Sequence, residues 1–131
     1  MNTDEHSTHE NPAAQRAEAG ATAWRDAARL QLSATPNHAD FYALAGEMVA
    51  TLHALDDLVR VLRGQVAGYV QAQRLRDRTV YDDTRTVDPA ERLEVAVVQL
   101  DKVTSAAVTA TNWVNLFWSA IGHIGVEDVA P

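Results

Sequence analysis

Residues 41–73 read FYALAGEMVATLHALDDLVRVLRGQVAGYVQAQ, and this stretch decides the fold. Apolar residues recur in it at alternating steps of four and three, the spacing that aligns side chains along one face of an α-helix. The stripe consists of Phe41, Ala45, Met48, Leu52, Leu55, Val59, Leu62, Val66, Tyr69 and one polar member, Gln73. The pattern predicts a long helix with an apolar seam that packs against a second helix.

A second stripe with the same spacing follows in the C-terminal third of the chain. Its members are Leu93, Ala96, Leu100, Val103, Ala107, Ala110, Val114, Phe117 and Ile121. Asp88 and Pro89 mark the start of this helix, because Asp is a preferred N-cap and Pro suits the first helical position. We therefore predict an all-α fold, a long antiparallel helical hairpin of residues 38–76 and 89–122.

A shorter helix over about residues 13–32 precedes the hairpin. Ala17, Ala21, Trp24 and Ala28 share one of its faces, so we expect it to pack on the base of the hairpin. Residues 1–12 carry no apolar side chain beyond Met1 and are predicted to be a disordered tail. The prediction is one helical domain over residues 13–125, followed by a C-terminal tail of residues 126–131.

Composition excludes several classes of protein. The chain has 131 residues and a net charge of −7, which argues against a general nucleic-acid binder, since that needs a basic face. It contains no cysteine, which excludes disulfides, thiolate metal sites and cysteine nucleophiles. We find no signal peptide and no apolar run long enough to span a membrane, so we expect a soluble, cytoplasmic protein.

The distal half of the hairpin, near the turn, is apolar on more than one side. A turn centred near Asp82 places Leu55 and Val59 opposite Ala107, and the first helix is too short to reach residues 61–75 and 92–103. The apolar residues left uncovered there include Val61, Val66, Tyr69, Val70, Val95 and Val98. We interpret them as a protein interface, filled by a second copy in a helical-bundle dimer or by another helical protein.

Arginines concentrate at the tip of the hairpin. They are Arg74, Arg76, Arg78 and Arg85, with Asp77, Asp82 and Asp83 interleaved. Most of these side chains are expected to be solvated. The alternative function that they indicate is an adaptor contacting nucleic acid or an acidic partner.

No catalytic, cofactor or metal site emerges from the spacing of polar residues. His53 and Asp57 are one turn apart, but His123 would lie roughly 18 Å from His53 in this register, too far to share an ion. We interpret His53 as a histidine at the surface or the seam edge, paired with Asp57. The chain is predicted not to be an enzyme.

Glu91 and Glu94, with Asp101, are similar to the paired acidic residues of MazG-type nucleotide pyrophosphohydrolases, which would imply a metal-dependent hydrolase. That family has a second acidic pair on a following helix, whereas Arg63 and Arg74 stand opposite here. We therefore expect interhelical salt bridges at these carboxylates.

A helical hairpin of about 90 residues also resembles the WXG100 secretion substrates in shape, and that resemblance would imply export. The chain lacks the Trp-x-Gly turn of that family and its Tyr-x-x-x-Asp/Glu signal.

Overall fold

The computed structural model describes residues 11–129, and within them it contains four α-helices and no strand. They are α1 (Pro12–Ser33), α2 (His38–Ala67), α3 (Tyr69–Arg74) and α4 (Pro89–Gly122). The all-α prediction is confirmed for this part of the chain. Residues 1–10, most of the predicted N-terminal tail, and residues 130–131, the last two of the predicted C-terminal tail, lie outside it. The chain divides into two compact units, Met1–Asn37 and His38–Pro131.

α1 begins where the sequence provides its capping residues. The side chain of Asn11 accepts a hydrogen bond from the backbone N–H of Ala13 at 2.8 Å, and Pro12 takes the first helical position. The helix ends at Ser33, because Ala34 adopts an extended conformation two residues before Pro36. No residue of α1 is buried. Its packing on the hairpin, and with it the single domain of residues 13–125, stays a prediction.

α2 and α4 pack against each other along their lengths. A Cβ placed on Gly46 would lie 3.1 Å from the indole of Trp118, and Nε of Arg63 donates to Asp101 at 2.5 Å. Residue numbers rise along α2 as they fall along α4, so the two helices run antiparallel. The members of each pair lie equally far from residue 82 along the chain, which is the register that the sequence predicts.

The seam between α2 and α4 differs from the predicted one at every second position. On α2 and α3 the less exposed residues that lie along the seam, with the paired Arg63, are Ala45, Val49, Leu52, Asp56, Val59, Val66, Val70 and Gln73. Those of α4 are Leu93, Val97, Leu100, Thr104, Ala107, Thr111, Val114, Trp118 and Ile121, beside the small Ala96 and Ala110. Half of each predicted stripe is therefore in the seam, and the other half lies one residue away from it.

The buried core of the described residues is small. Its apolar members are Ala45, with 0% of its surface exposed, and Val49, with 8%. Both lie on α2 in the half nearer its N-terminus. The remaining seam residues are only half-buried, so the pairing of α2 with α4 leaves much apolar surface in contact with solvent.

The predicted helix over 38–76 is interrupted at Gly68 and stops early. Gly68 leaves the helical conformation, with φ −96° and ψ 6°, and separates α2 from α3. The backbone bonds from Gly68 N to Gly64 O and from Ala72 N to Gly68 O hold the two segments nearly in line. α3 ends at Arg74, and Asp77 then adopts a left-handed conformation with φ 56°. Glycine in a helix interior destabilises it by roughly 0.5–1 kcal/mol relative to alanine, which weakens the helix at this point.

The connector before α4 is organised around a buried carboxylate. Asp82 accepts hydrogen bonds from the hydroxyl of Thr84 and from Nε of Arg92, the latter at 2.6 Å. Asp88 caps α4 by accepting from the backbone N–H of Ala90 at 3.0 Å. The hydrogen bond from Thr84 and then that from Arg92 lower the pKa of Asp82 from 3.8 to about 2.

The lowered pKa of Asp82 predicts an acid-sensitive connector. Because the folded state favours the ionised carboxylate, this contribution to stability is present above pH 4 and is lost as the pH falls through about 2. We expect Thr84→Val to raise the pKa of Asp82, measured by NMR titration of its carboxyl carbon. Thr79→Val, a change of the same kind in the same connector, should leave the titration unaltered; equal shifts in both variants would contradict the assignment.

Candidate interaction surfaces

An open apolar groove runs between α2, α3 and α4 in the distal half, near the connector. We call it the distal groove; it is lined by Val66, Ala67, Val70, Leu93, Val97 and Val98 and has a volume of about 600 Å³. It stays open because the small side chains of Ala67 and Ala90 leave the space beside the larger seam residues unfilled. A groove of this width and lining accepts apolar side chains of another helix.

Charged residues flank the distal groove. Nε of Arg63 donates to Asp101 at 2.5 Å and a second guanidinium nitrogen approaches the same carboxylate at 3.4 Å. The hydrogen bond and the charge of Asp101 raise the pKa of Arg63. This interhelical salt bridge confirms one of those that the sequence predicts. Glu94 also lines the groove. Since the salt bridge is half-exposed, it fixes the register of the two helices more than it stabilises them.

The structure brings together only part of the interface predicted from sequence. Val66, Val70 and Val98 line the distal groove. Val61 and Val95 lie about half a helical turn from the seam positions and face away from the partner helix, where both are exposed. Tyr69 comes directly before the seam residue Val70, on the side opposite the groove, and is 45% exposed. The role of all six residues in an interface stays a prediction.

A second apolar surface lies on the other side of the helix pair, and we call it the outer stripe. Each member comes one residue before a seam position. The members are Met48, Leu55, Leu62 and Tyr69, with Ala96, Val103, Ala110 and Phe117 on α4. The four members on α2 and α3 are between 39% and 52% exposed. These are the residues that the sequence predicts for the inner seam, so the structure leaves predicted core residues in contact with solvent.

The four predicted tip arginines do not form one cluster. Arg74 and Arg78 line a common cavity of about 280 Å³ together with Asp88. The guanidinium of Arg85 instead stacks over the ring of Tyr81, with its central carbon 3.9 Å from the ring centroid. Arg76 is exposed.

The polar residues around His53 do not make a metal site. His53 lines a cavity of about 230 Å³ with Asp56, one residue from the predicted partner Asp57. Oδ2 of Asp56 accepts from Arg60 at 2.9 Å, while Oδ1 is buried with no hydrogen-bond partner among residues 11–129. Within that range no three His, Asp or Glu side chains are placed to bind one ion.

Aromatic residues meet at the end of the helix pair farthest from the connector. The rings of Tyr42 and Trp118 are 5.5 Å apart and tilted by 53°. Trp113, on the same helix as Trp118, is 69% exposed and does not join them. Sequence reasoning missed Tyr42 because it lies one residue after Phe41, which the apolar stripe favours. The register could have indicated it, because Tyr42 lies opposite Gly122, and a glycine has no side chain to exclude the tyrosine ring.

Comparison with known proteins identifies no relative: no protein-family model, curated protein or solved structure matches the chain. Within residues 11–129 no helix combines the length and the hydropathy needed to cross a membrane. The function must therefore be argued from the surfaces described above.

Proposed function

We propose that the chain is a non-enzymatic helical interaction module that assembles with another helix through the distal groove. The observation that carries the proposal is the groove itself, a concave surface of half-buried valines and a leucine that stays open when α2 and α4 pair. Each Å² of apolar surface removed from water contributes about 25 cal/mol, so a partner that fills the groove is favoured. The proposed fold is a hairpin with α1 over its base, which leaves the distal half for this partner.

The chemistry of the groove favours a helix over a small polar ligand. Its apolar lining offers few hydrogen-bonding groups, and two of its three charged lining residues, Arg63 and Asp101, are already paired with each other. Glu94 supplies a negative charge at the edge, where a basic residue of the partner is favoured.

A tip contact with nucleic acid is the weaker proposal, because Arg85 is engaged with Tyr81 and the net charge of −7 repels phosphates.

Val98→Asp tests the distal groove with little risk to the fold. Val98 is 53% exposed, so a carboxylate there stays solvated in the free chain but is desolvated under a partner helix. We expect the variant to reduce, by about tenfold or more, the share of the chain that is found in its native cells in complexes larger than a dimer of the chain itself. Sedimentation of native extracts, with the chain quantified by mass spectrometry, measures this share.

Val95→Asp is the matched control, because Val95 is 56% exposed on the same helix but faces away from the groove. It should leave the share of assembled chain unaltered, and circular dichroism should show unchanged helicity in both variants. An equal loss of assembly in the two variants, or none in either, would refute the groove as the contact.

A further inference from the structure

The outer stripe occupies one side of the helix pair and the distal groove the other. On both helices the stripe members come one residue before a seam position, and the outer groove residues Ala67, Glu94 and Val98 come one residue after. Because α2 and α4 run antiparallel, residues displaced in the same sense along each helix lie on the same side of the pair. Leu55 of α2 and Ala110 of α4 therefore border one continuous surface.

The outer stripe is uncharged along its whole length. None of its members carries a charge, and Leu58, Gln65, Gln99 and Ala106 in the next row outward are also neutral; the charge in that row is Arg92 beside the connector, which is paired with Asp82. The charged side chains Arg60 and Asp101 lie on the groove side. A neutral surface on a chain with a net charge of −7 disfavours a strongly charged partner, since such a partner gains no ion pairs there and loses hydration. The surface suits a partner with an equally neutral face.

The exposed area of the stripe is enough for a stable dimer. Its large members, together with the adjacent Leu58, are between 39% and 52% exposed. With a full accessible area of roughly 200 Å² for each, they leave on the order of 600 Å² uncovered in each copy, or about 1,200 Å² for two copies, which is the lower end of the range for stable interfaces. This area greatly exceeds that of scattered surface leucines, which need no explanation.

The sizes of the side chains indicate which partner fits. The stripe members of α2 and α3 are all large, whereas those on α4 alternate small and large, with Ala96 and Ala110 as the small ones. A two-fold axis along the helices places α2 of one copy over α4 of the other. Leu55 then meets Ala110 and Tyr69 meets Ala96, so a large side chain faces a small one, and these pairs alternate with Met48 against Phe117 and Leu62 against Val103. The surface is thus self-complementary, as an isologous contact requires.

We infer that the outer stripe is a dimerisation surface on which a second copy of this chain packs to form a four-helix arrangement. On α2 the outer stripe is more apolar than the inner seam, because the seam contains Asp56 and Arg63. The more apolar stripe is therefore the one that contacts the second copy. The distal groove stays open on the outside of the dimer. This inference goes beyond the proposed function, because it concerns a different surface and a different partner.

The test is the solution mass of the full chain by light scattering on a sizing column, at concentrations up to about 0.1 mM. We expect twice the 14.3 kDa of one chain. Leu55→Lys should raise the dissociation constant at least ~100-fold, because the substitution enters the symmetric contact twice. Val108→Lys is the matched control: Val108 is 51% exposed against 52% for Leu55, and it lies on the groove side.

Each outcome of the test either supports the dimerisation surface or overturns it. A dimer that Leu55→Lys dissociates and Val108→Lys preserves, with helicity unchanged by circular dichroism, supports the inference. A monomeric wild-type chain, whether the stripe is covered by α1 or by nothing, overturns it, and so does a dimer that Leu55→Lys leaves intact. Val98→Asp should preserve the dimer, so failure of this inference and failure of the distal groove are separate results.

Discussion

Ala45→Glu should prevent α2 and α4 from pairing. Ala45 is the one residue with 0% exposure in the described part of the chain, and it lies where the two helices are in contact. A glutamate there either buries an unpaired carboxylate, which costs about 3–5 kcal/mol, or separates the helices. A domain of this size is stable by only about 5–15 kcal/mol, and the small core places this one near the lower end. We expect most of the cooperative thermal unfolding transition to be lost. Circular dichroism at increasing temperature measures this loss.

Ala54→Glu separates burial from every other effect of the substitution. Ala54 is exposed on the same helix, so the change in side chain, charge and helix propensity is the same as at Ala45. Its midpoint of unfolding should stay within a few degrees of that of the unmodified chain. If both variants lost the transition, the added negative charge, and not the packing at Ala45, would be responsible.

The sequence was sufficient for the bounds of α4, missed the break at Gly68 and was ambiguous about the seam. Capping at Asp88 and Pro89 and the apolar periodicity predicted the ends of α4 correctly, because those signals are local. Two adjacent stripes on α2 share Leu52 and Val59, one continuing through Leu55 and the other through Asp56. The apolar pattern favoured Leu55, since polar residues seldom occupy a seam.

The physical reason for the actual seam is partly long-range. Asp56 is tolerated there because Arg60, one turn later on the same helix, donates to its carboxylate, whereas Arg63 is tolerated because Asp101 on the other helix accepts from it. The second pair depends on which α4 residue stands opposite, and periodicity within one helix does not contain that information. The distal groove was predicted only as a group of valines for the same reason, since its shape depends on both helices.

Trp118→Ala should produce the second largest loss of stability. The indole of Trp118 packs against the bare backbone of Gly46 and its ring contacts that of Tyr42 at 5.5 Å. Truncation of a large aromatic residue costs about 3–5 kcal/mol in a full core, and about 2–3 kcal/mol is expected for this half-buried one. The midpoint of thermal unfolding should fall by roughly 10 °C. Trp113→Ala, on the same helix but 69% exposed, should cost less than about 1 kcal/mol.

A double-mutant cycle with Gly46 shows whether that loss comes from the predicted contact. A Cβ on Gly46 would lie 3.1 Å from Cζ2 of Trp118, so Gly46→Ala forces the indole to move and gains little or nothing in the unmodified chain. With Trp118→Ala in place the obstacle is absent, and Gly46→Ala should stabilise by about 0.5–1 kcal/mol through helix propensity alone. Gly64→Ala, where a Cβ meets nothing within 4 Å, should give that gain in either background. A Gly46→Ala effect independent of Trp118 would mean that the indole does not rest on α2, and the register of the helix pair would then have to be assigned differently.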